Sequence, residues 1–220
     1  MPNHSDQAPK RVLDPIDRVS EVLFGLIMVL TFTGSLSVAD AGREDVRTML
    51  IAALGCNLAW GIIDAVLFLM SILAEKARAL MIYRAVRGAR DPQEAHRLIA
   101  DAVPPLLASI LEPAELTSIH QRLNQLPDPP KGARLDRAAW LGAVGVFLLV
   151  FLSTFPVVIP FLLMQNAVPA LRVSNAIAVA MLFITGVVYG HVIGYHRWMT
   201  GTAMVILGLV LVGITILLGG

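Results

Sequence analysis

The stretch CNLAWGIIDAVLFLMSIL, residues 56–73, places one acid, Asp64, among apolar residues that continue for turns in both directions. A helix crossing a hydrocarbon core about 30 Å thick needs about 20 mostly apolar residues. The block around this stretch, residues 48–73, meets that requirement. The composition agrees: 56% of the 220 residues are hydrophobic and 15% charged, with a mean hydropathy of +0.73. The medium is therefore a bilayer, and the fold turns on what a carboxylate does inside one.

Four more apolar blocks are long enough to span: residues 19–38, 138–164, 174–193 and 198–218. The expected fold is all-α, a polytopic membrane protein with five transmembrane helices and a helical cytosolic insert between the second and third. Its parts are a cytosolic N-terminal segment (1–18), helices 1 and 2 (19–74), the insert (75–137) and helices 3 to 5 (138–220). The polar N-terminal segment carries no small-residue cleavage site after the first apolar run, so no cleaved signal peptide is expected. Cys56 is the single cysteine, which excludes a disulfide framework. A net charge of +1 gives no reason to expect nucleic acid as a partner.

Lys and Arg in the loops set the expected orientation. Lys10, Arg11 and Arg18, ten cations between Lys76 and Arg137, and Arg197 all fall on one side of a five-span protein. The other side receives Arg43, Arg47 and Arg172. The N-terminus is expected in the cytosol and the C-terminus outside or in a lumen.

In the insert, AEKARALMIYRAVRGAR continues the second spanning helix and ends at Gly88 or soon after. DPQEAHRLIADAV opens with an N-cap Asp91, a proline at the first helical position and Glu94 three residues after the cap. A further helix begins near EPAELTSIHQRLNQL and stops at PDPPKGAR. Three helices are expected, with Leu98, Ile99, Leu106, Leu107, Ile110 and Leu111 available to pack them. No phosphate loop, nucleophile triad or paired CxxC occurs, which argues against an enzyme.

Asp64 lies about nine residues, or roughly 13 Å, inside its helix, where an ionised carboxylate costs at least about 2.5–3.5 kcal/mol. Helical spacing aligns it with Asn57, Gly61 and Ser71, a small or polar stripe expected to face inward, while Ile62, Val66 and Leu69 lie elsewhere. On the first helix Asp14, Asp17, Glu21, Gly25, Met28 and Ser35 share one face. Oxygen ligands suit hard or borderline divalent cations and a thioether biases toward transition metals. Asp14 and Asp17 also fit ordinary acids at a helix N-terminus, and a protonated Asp64 hydrogen-bonded to a neighbouring helix is the structural alternative. Pro156 and Pro160, one turn apart in the third helix, mark either a packing kink or carbonyls opened onto a cavity. Gly186, Gly190, Gly194, Gly208 and Gly213 read as close helix contacts. His191 and His196 fit solvated interfacial side chains better than ligands.

Acids entering on the first helix, the inserted helices, IPFLL after a proline in the third span and a last helix reading GTAMVILGLVLVGITILLGG together resemble the vacuolar iron transporter family. The resemblance implies a homodimer that exports Fe2+, and often Mn2+, from the cytosol in exchange for protons, with no permanently bound cofactor. It implies a path between the first two helices of both subunits, onto which Asp17, Glu21, Met28, Asn57, Asp64 and Met70 map. It also implies metal gathering by insert glutamates. Glu112 and Glu115 form the one E-x-x-E pair, with Glu94, His96 and His120 as companions; solvated helix acids fit the same pattern. The implied partners are divalent metal ions, protons, membrane lipid and a second copy, in a plasma (inner) or vacuole-like membrane. A reading from another class also stands: a non-transporting anchor or regulator presenting its basic insert to lipid or a partner.

Overall fold

The computed structural model describes residues 13, 15–35 and 43–217. Among these residues there are helices and no strands, in the order α1 (Pro15–Ser35), α2 (Arg43–Gly88), α3 (Pro92–Ala102), α4 (Pro105–Ala108), α5 (Pro113–Gln125), α6 (Arg137–Ser153), α7 (Phe155–Leu163), α8 (Ala167–Val192) and α9 (Arg197–Leu217). The chain divides into two compact units, Met1–Phe68 with Ala138–Gly220, and Leu69–Arg137.

Among the described residues four helical stretches are long and apolar enough to cross a membrane: Glu44–Gly88, Arg137–Leu163, Ala167–Val192 and Arg197–Ile214. The first expected span corresponds to α1, which is 21 residues long but carries Asp17, Arg18 and Glu21 within its first seven positions. Those charges keep it out of the strongly apolar set.

In the first unit the core forms where Leu26, Val29 and Leu30 of α1 meet Ala53 of α2, Val157 and Phe161 of α7, and Ala178 and Leu182 of α8. The expected third span is two helices. Pro156 has no N–H for the Leu152 carbonyl, so α6 stops at Ser153 and α7 restarts at Phe155. Around the break, hydroxyls donate to neighbouring carbonyls: Ser153 to Val150 and Thr154 to Phe151, each at 2.7 Å, and Ser174 of α8 to Val157 at 2.7 Å. Both sequence readings of these prolines allow this break. Gly25 makes it possible for α1 to lie against it, because a Cβ there would sit 2.6 Å from the Val150 carbonyl oxygen and collide with the Ser153 hydroxyl.

Helices α8 and α9 are joined by a turn in which Gly194 has φ +70°. The Tyr195 N–H reaches the Gly190 carbonyl at 2.8 Å and the Gly194 N–H that of His191 at 3.4 Å, the double closure of a Schellman motif. The returning α9 then packs so closely that a Cβ on Gly186 would lie 2.8 Å from the Gly201 Cα. Gly194, in the turn, and Gly213, by contrast, have nothing within 4 Å of a Cβ, so the expectation of close contacts at these two is corrected.

The second unit holds the end of α2 and the three short helices. The expected cap is present: the Gln93 N–H donates to Asp91 Oδ1 at 3.1 Å, with Pro92 opening α3. Val86, Ala95 and Ile99 form the centre, flanked by Ile82, Leu98, Leu116, Ile119 and Leu123. Leu106, Leu107 and Ile110 were expected to pack here but are 78%, 48% and 68% exposed. Pro104 and Pro105 confine α4 to four residues at the turn between α3 and α5, so its apolar side chains point away from the layer that those helices make.

Candidate functional site

Three cross-helix relations fix the register of α1 against α2. Met28 Sδ lies 3.2 Å from Cys56 Sγ. The rings of Phe24 and Trp60 meet edge to face with centroids 5.6 Å apart. The Asp64 carboxylate, like that of Asp17, is close enough to act on Glu21 through its charge. Each step of about four residues up α1 is matched by a step of about four back along α2, which is antiparallel pairing of two regular helices.

This register produces two rungs. One is acidic, with Glu21 and Asp64 both half-buried. The other, seven residues further along α1 and eight back along α2, about 10–12 Å by helical rise, holds the Met28 thioether and the Cys56 thiol. Asn57 adjoins the second rung and is 0% exposed. Both of its amide atoms lack a hydrogen-bond partner, as does Asp64 Oδ2. A buried amide without partners costs roughly 1–3 kcal/mol, so a native chain that retains one in an apolar helix has a use for it.

Of the expected inner stripe on α2, Asn57 and Gly61 are buried and Asp64 is half-buried, but Ser71 is exposed. Gly61 lets Phe147 of α6 close over the helix, its ring 3.1 Å from where a Cβ would be. Met70 is 60% exposed. Asp14 lies outside the described residues, as does the side chain of Ser35. Sequence reasoning named Met28 but not its partner Cys56. The available signal was that Cys56 sits eight residues from Asp64 while Met28 sits seven from Glu21, equal depths on antiparallel helices.

In the insert, several polar side chains have structural partners. Glu115 Oε2 accepts the Glu112 N–H at 2.9 Å, closing the first turn of α5. His96 Nε2 lies 3.1 Å from Thr117 Oγ1, whose own proton goes to the Pro113 carbonyl at 2.8 Å. The ring nitrogen is therefore the donor, which leaves Nδ1 as the free lone pair of a neutral His96. Glu94 is exposed and His120 half-buried. Among the described residues no three His, Cys, Asp or Glu side chains converge to hold a metal ion, so Glu94, His96, Glu112, Glu115 and His120 are not gathered into one cage. The segment after α5 is strapped to α2: Tyr83 donates to the Pro127 carbonyl at 2.8 Å, Arg87 pairs with Asp128 at 3.2 Å, Arg84 donates to the Pro130 carbonyl, and Lys76 pairs with Asp136 at 2.8 Å.

A family model, the VIT family, matches residues 93–220, from α3 through α9. The chain belongs to the VIT family. Members of this family are membrane metal-ion transporters and not enzymes, which agrees with the apolar helices as an integral multi-pass membrane protein. No curated protein matches the chain. The family match begins at residue 93, so the α1–α2 seam lies ahead of it and stands on its own geometry.

Proposed function

We propose that this VIT-family chain moves divalent transition metal, Fe2+ or Mn2+, out of the cytosol along the α1–α2 seam in exchange for protons. The observation that carries the reading is the pairing of unpartnered polar atoms, both ends of the Asn57 amide and Asp64 Oδ2, with Glu21 acting opposite Asp64. In this reading cations enter past Asp17, bind at Glu21 and Asp64, and pass to the amide and sulfur rung of Asn57, Met28 and Cys56, with Met70 on the cytosolic approach. Carboxylate oxygens accept borderline cations, and sulfur favours the transition metals over Mg2+ and Ca2+. A carboxylate holds a proton or a metal ion but not both, which supplies the exchange.

The reading takes α1 as a fifth span, with the N-terminus and the insert in the cytosol, the C-terminus outside or luminal, and two copies per transporter. In the insert, Glu94, the Glu112 carboxylate, the second oxygen of Glu115, His96 Nδ1 and His120 remain available to attract metal transiently. The alternative of a basic insert docking on lipid or a partner draws less support, because Lys76, Arg84 and Arg87 are already engaged by the chain's own strap.

The test is metal entry into proteoliposomes carrying a metal-sensing and a pH-sensing dye, for Fe2+, Mn2+, Co2+, Zn2+ and Ca2+. Metal entry coupled to proton exit, lost in Asp64→Asn and Glu21→Gln, is the expected result. A folded native protein with no flux above empty vesicles would replace this reading with the anchor or regulator.

A further inference from the structure

A groove of about 660 Å³ runs between α1 and α6, with Met181 of α8 lining it. Its lining is apolar except for Arg18 of α1 and Ser153 at the end of α6. Leu141, Leu148 and Leu152 line it and are exposed, so it is open along one side.

Three features select its occupant. From Leu141 to Leu152 the groove follows α6 for eleven residues, about 16 Å, which is half of a hydrocarbon core about 30 Å thick: it is one leaflet deep. Arg18 lies in the first turn of α1, which starts at Pro15, and the exposed Trp140 in the first turn of α6 marks a membrane–water interface on the side where α6 begins. Among the described residues Arg18 forms no ion pair.

We propose that this groove is a binding site for one anionic phospholipid, its phosphate paired with Arg18 and an acyl chain lying along α6 against Val22 and Met181. A long, mostly apolar slot lined by one cation that has no ion pair among the described residues has the amphipathic character of such a lipid, and Arg18 supplies the charge that a zwitterionic headgroup would match less well. The site is independent of the transport path, since its residues lie outside the polar seam.

Native mass spectrometry of the purified full-length chain, titrated separately with phosphatidylglycerol and phosphatidylcholine, tests it. Phosphatidylglycerol should be retained in preference. Arg18→Gln should weaken that retention by about fivefold, Arg18→Lys should keep most of it, and Leu148→Trp, which fills the slot, should abolish it. Leu152→Phe serves as a milder filling if the tryptophan variant does not fold. Equal retention of both lipids by the native chain and every variant would overturn the proposal. So would a change from dimer to monomer in the filled variants without loss of lipid, which would make the groove a contact between copies.

Discussion

The seam between α1 and α2 and the helical insert both carry polar side chains at helical spacing, and they use them in opposite ways. In the insert several acids and cations have partners: Glu115 closes a helix start, Lys76 and Arg87 hold Asp136 and Asp128, and His96 bonds Thr117. In the seam, where an unsatisfied group is most costly, Asn57 and Asp64 have buried atoms without any. Polar groups that a fold needs are expected to be satisfied within it, and by that measure Asn57 and Asp64, with Asn175 Oδ1 on α8, stand apart from the partnered side chains of the insert. An E-x-x-E pair on an exposed helix looked the more metal-like motif in the sequence, and a lone asparagine the less; the partners reverse that order.

The comparison breaks most directly at Asp64. Asp64→Asn keeps the shape and removes the negative charge, so metal flux into proteoliposomes should fall to the level of empty vesicles while the circular dichroism stays native. Flux within twofold of native would make Asp64 a structural group like those of the insert.

Asn57→Leu sharpens the same contrast. Replacing an unpartnered buried amide by an apolar group of similar size is neutral or stabilising for a fold that does not use it. The variant's Tm should hold or rise while transport falls about tenfold, equivalent to about 1.4 kcal/mol. A clear drop in Tm would show that the amide has a structural partner and belongs with the insert's side chains.

Gly25→Ala probes the scaffold under the seam. The new methyl group would meet the Val150 carbonyl and the Ser153 hydroxyl, and overpacking at such a contact costs about 1–3 kcal/mol. Denaturation in detergent should show a loss in that range. The control Gly55→Ala, with nothing within 4 Å of its Cβ, should not.

Much of this was legible in the chain because it is local. Apolar runs located the helices, good helix formers carried α2 through to Gly88, and Asp91 with Pro92 marked the start of α3. The acidic faces of α1 and α2 were legible one helix at a time. Their mutual register was not, since it depends on which turn of one helix meets which turn of the other, and so Cys56 escaped notice. The strap was hidden for a similar reason: Lys76 and Asp136 are 60 positions apart, and nothing in periodicity joins them. Leu106 and Ile110 misled because apolarity states that a side chain gains from burial, not that a four-residue helix between prolines can deliver it.

The smallest expected effect comes from Glu115→Ala, and it tests the other side of the comparison. The substitution removes the acceptor for the Glu112 N–H and a negative charge from the first turn of α5, which together are worth about 0.5–1 kcal/mol. Hydrogen exchange should show faster exchange confined to the start of α5. Transport should remain within about twofold of native at saturating metal, because the side chain's fixed partner is the helix itself. If the apparent KM for metal instead rose tenfold while exchange at α5 was unchanged, Glu115 would act as a ligand. Side chains with and without internal partners would then share the work of transport, and the division between seam and insert would mark two stations on one route rather than function set against structure.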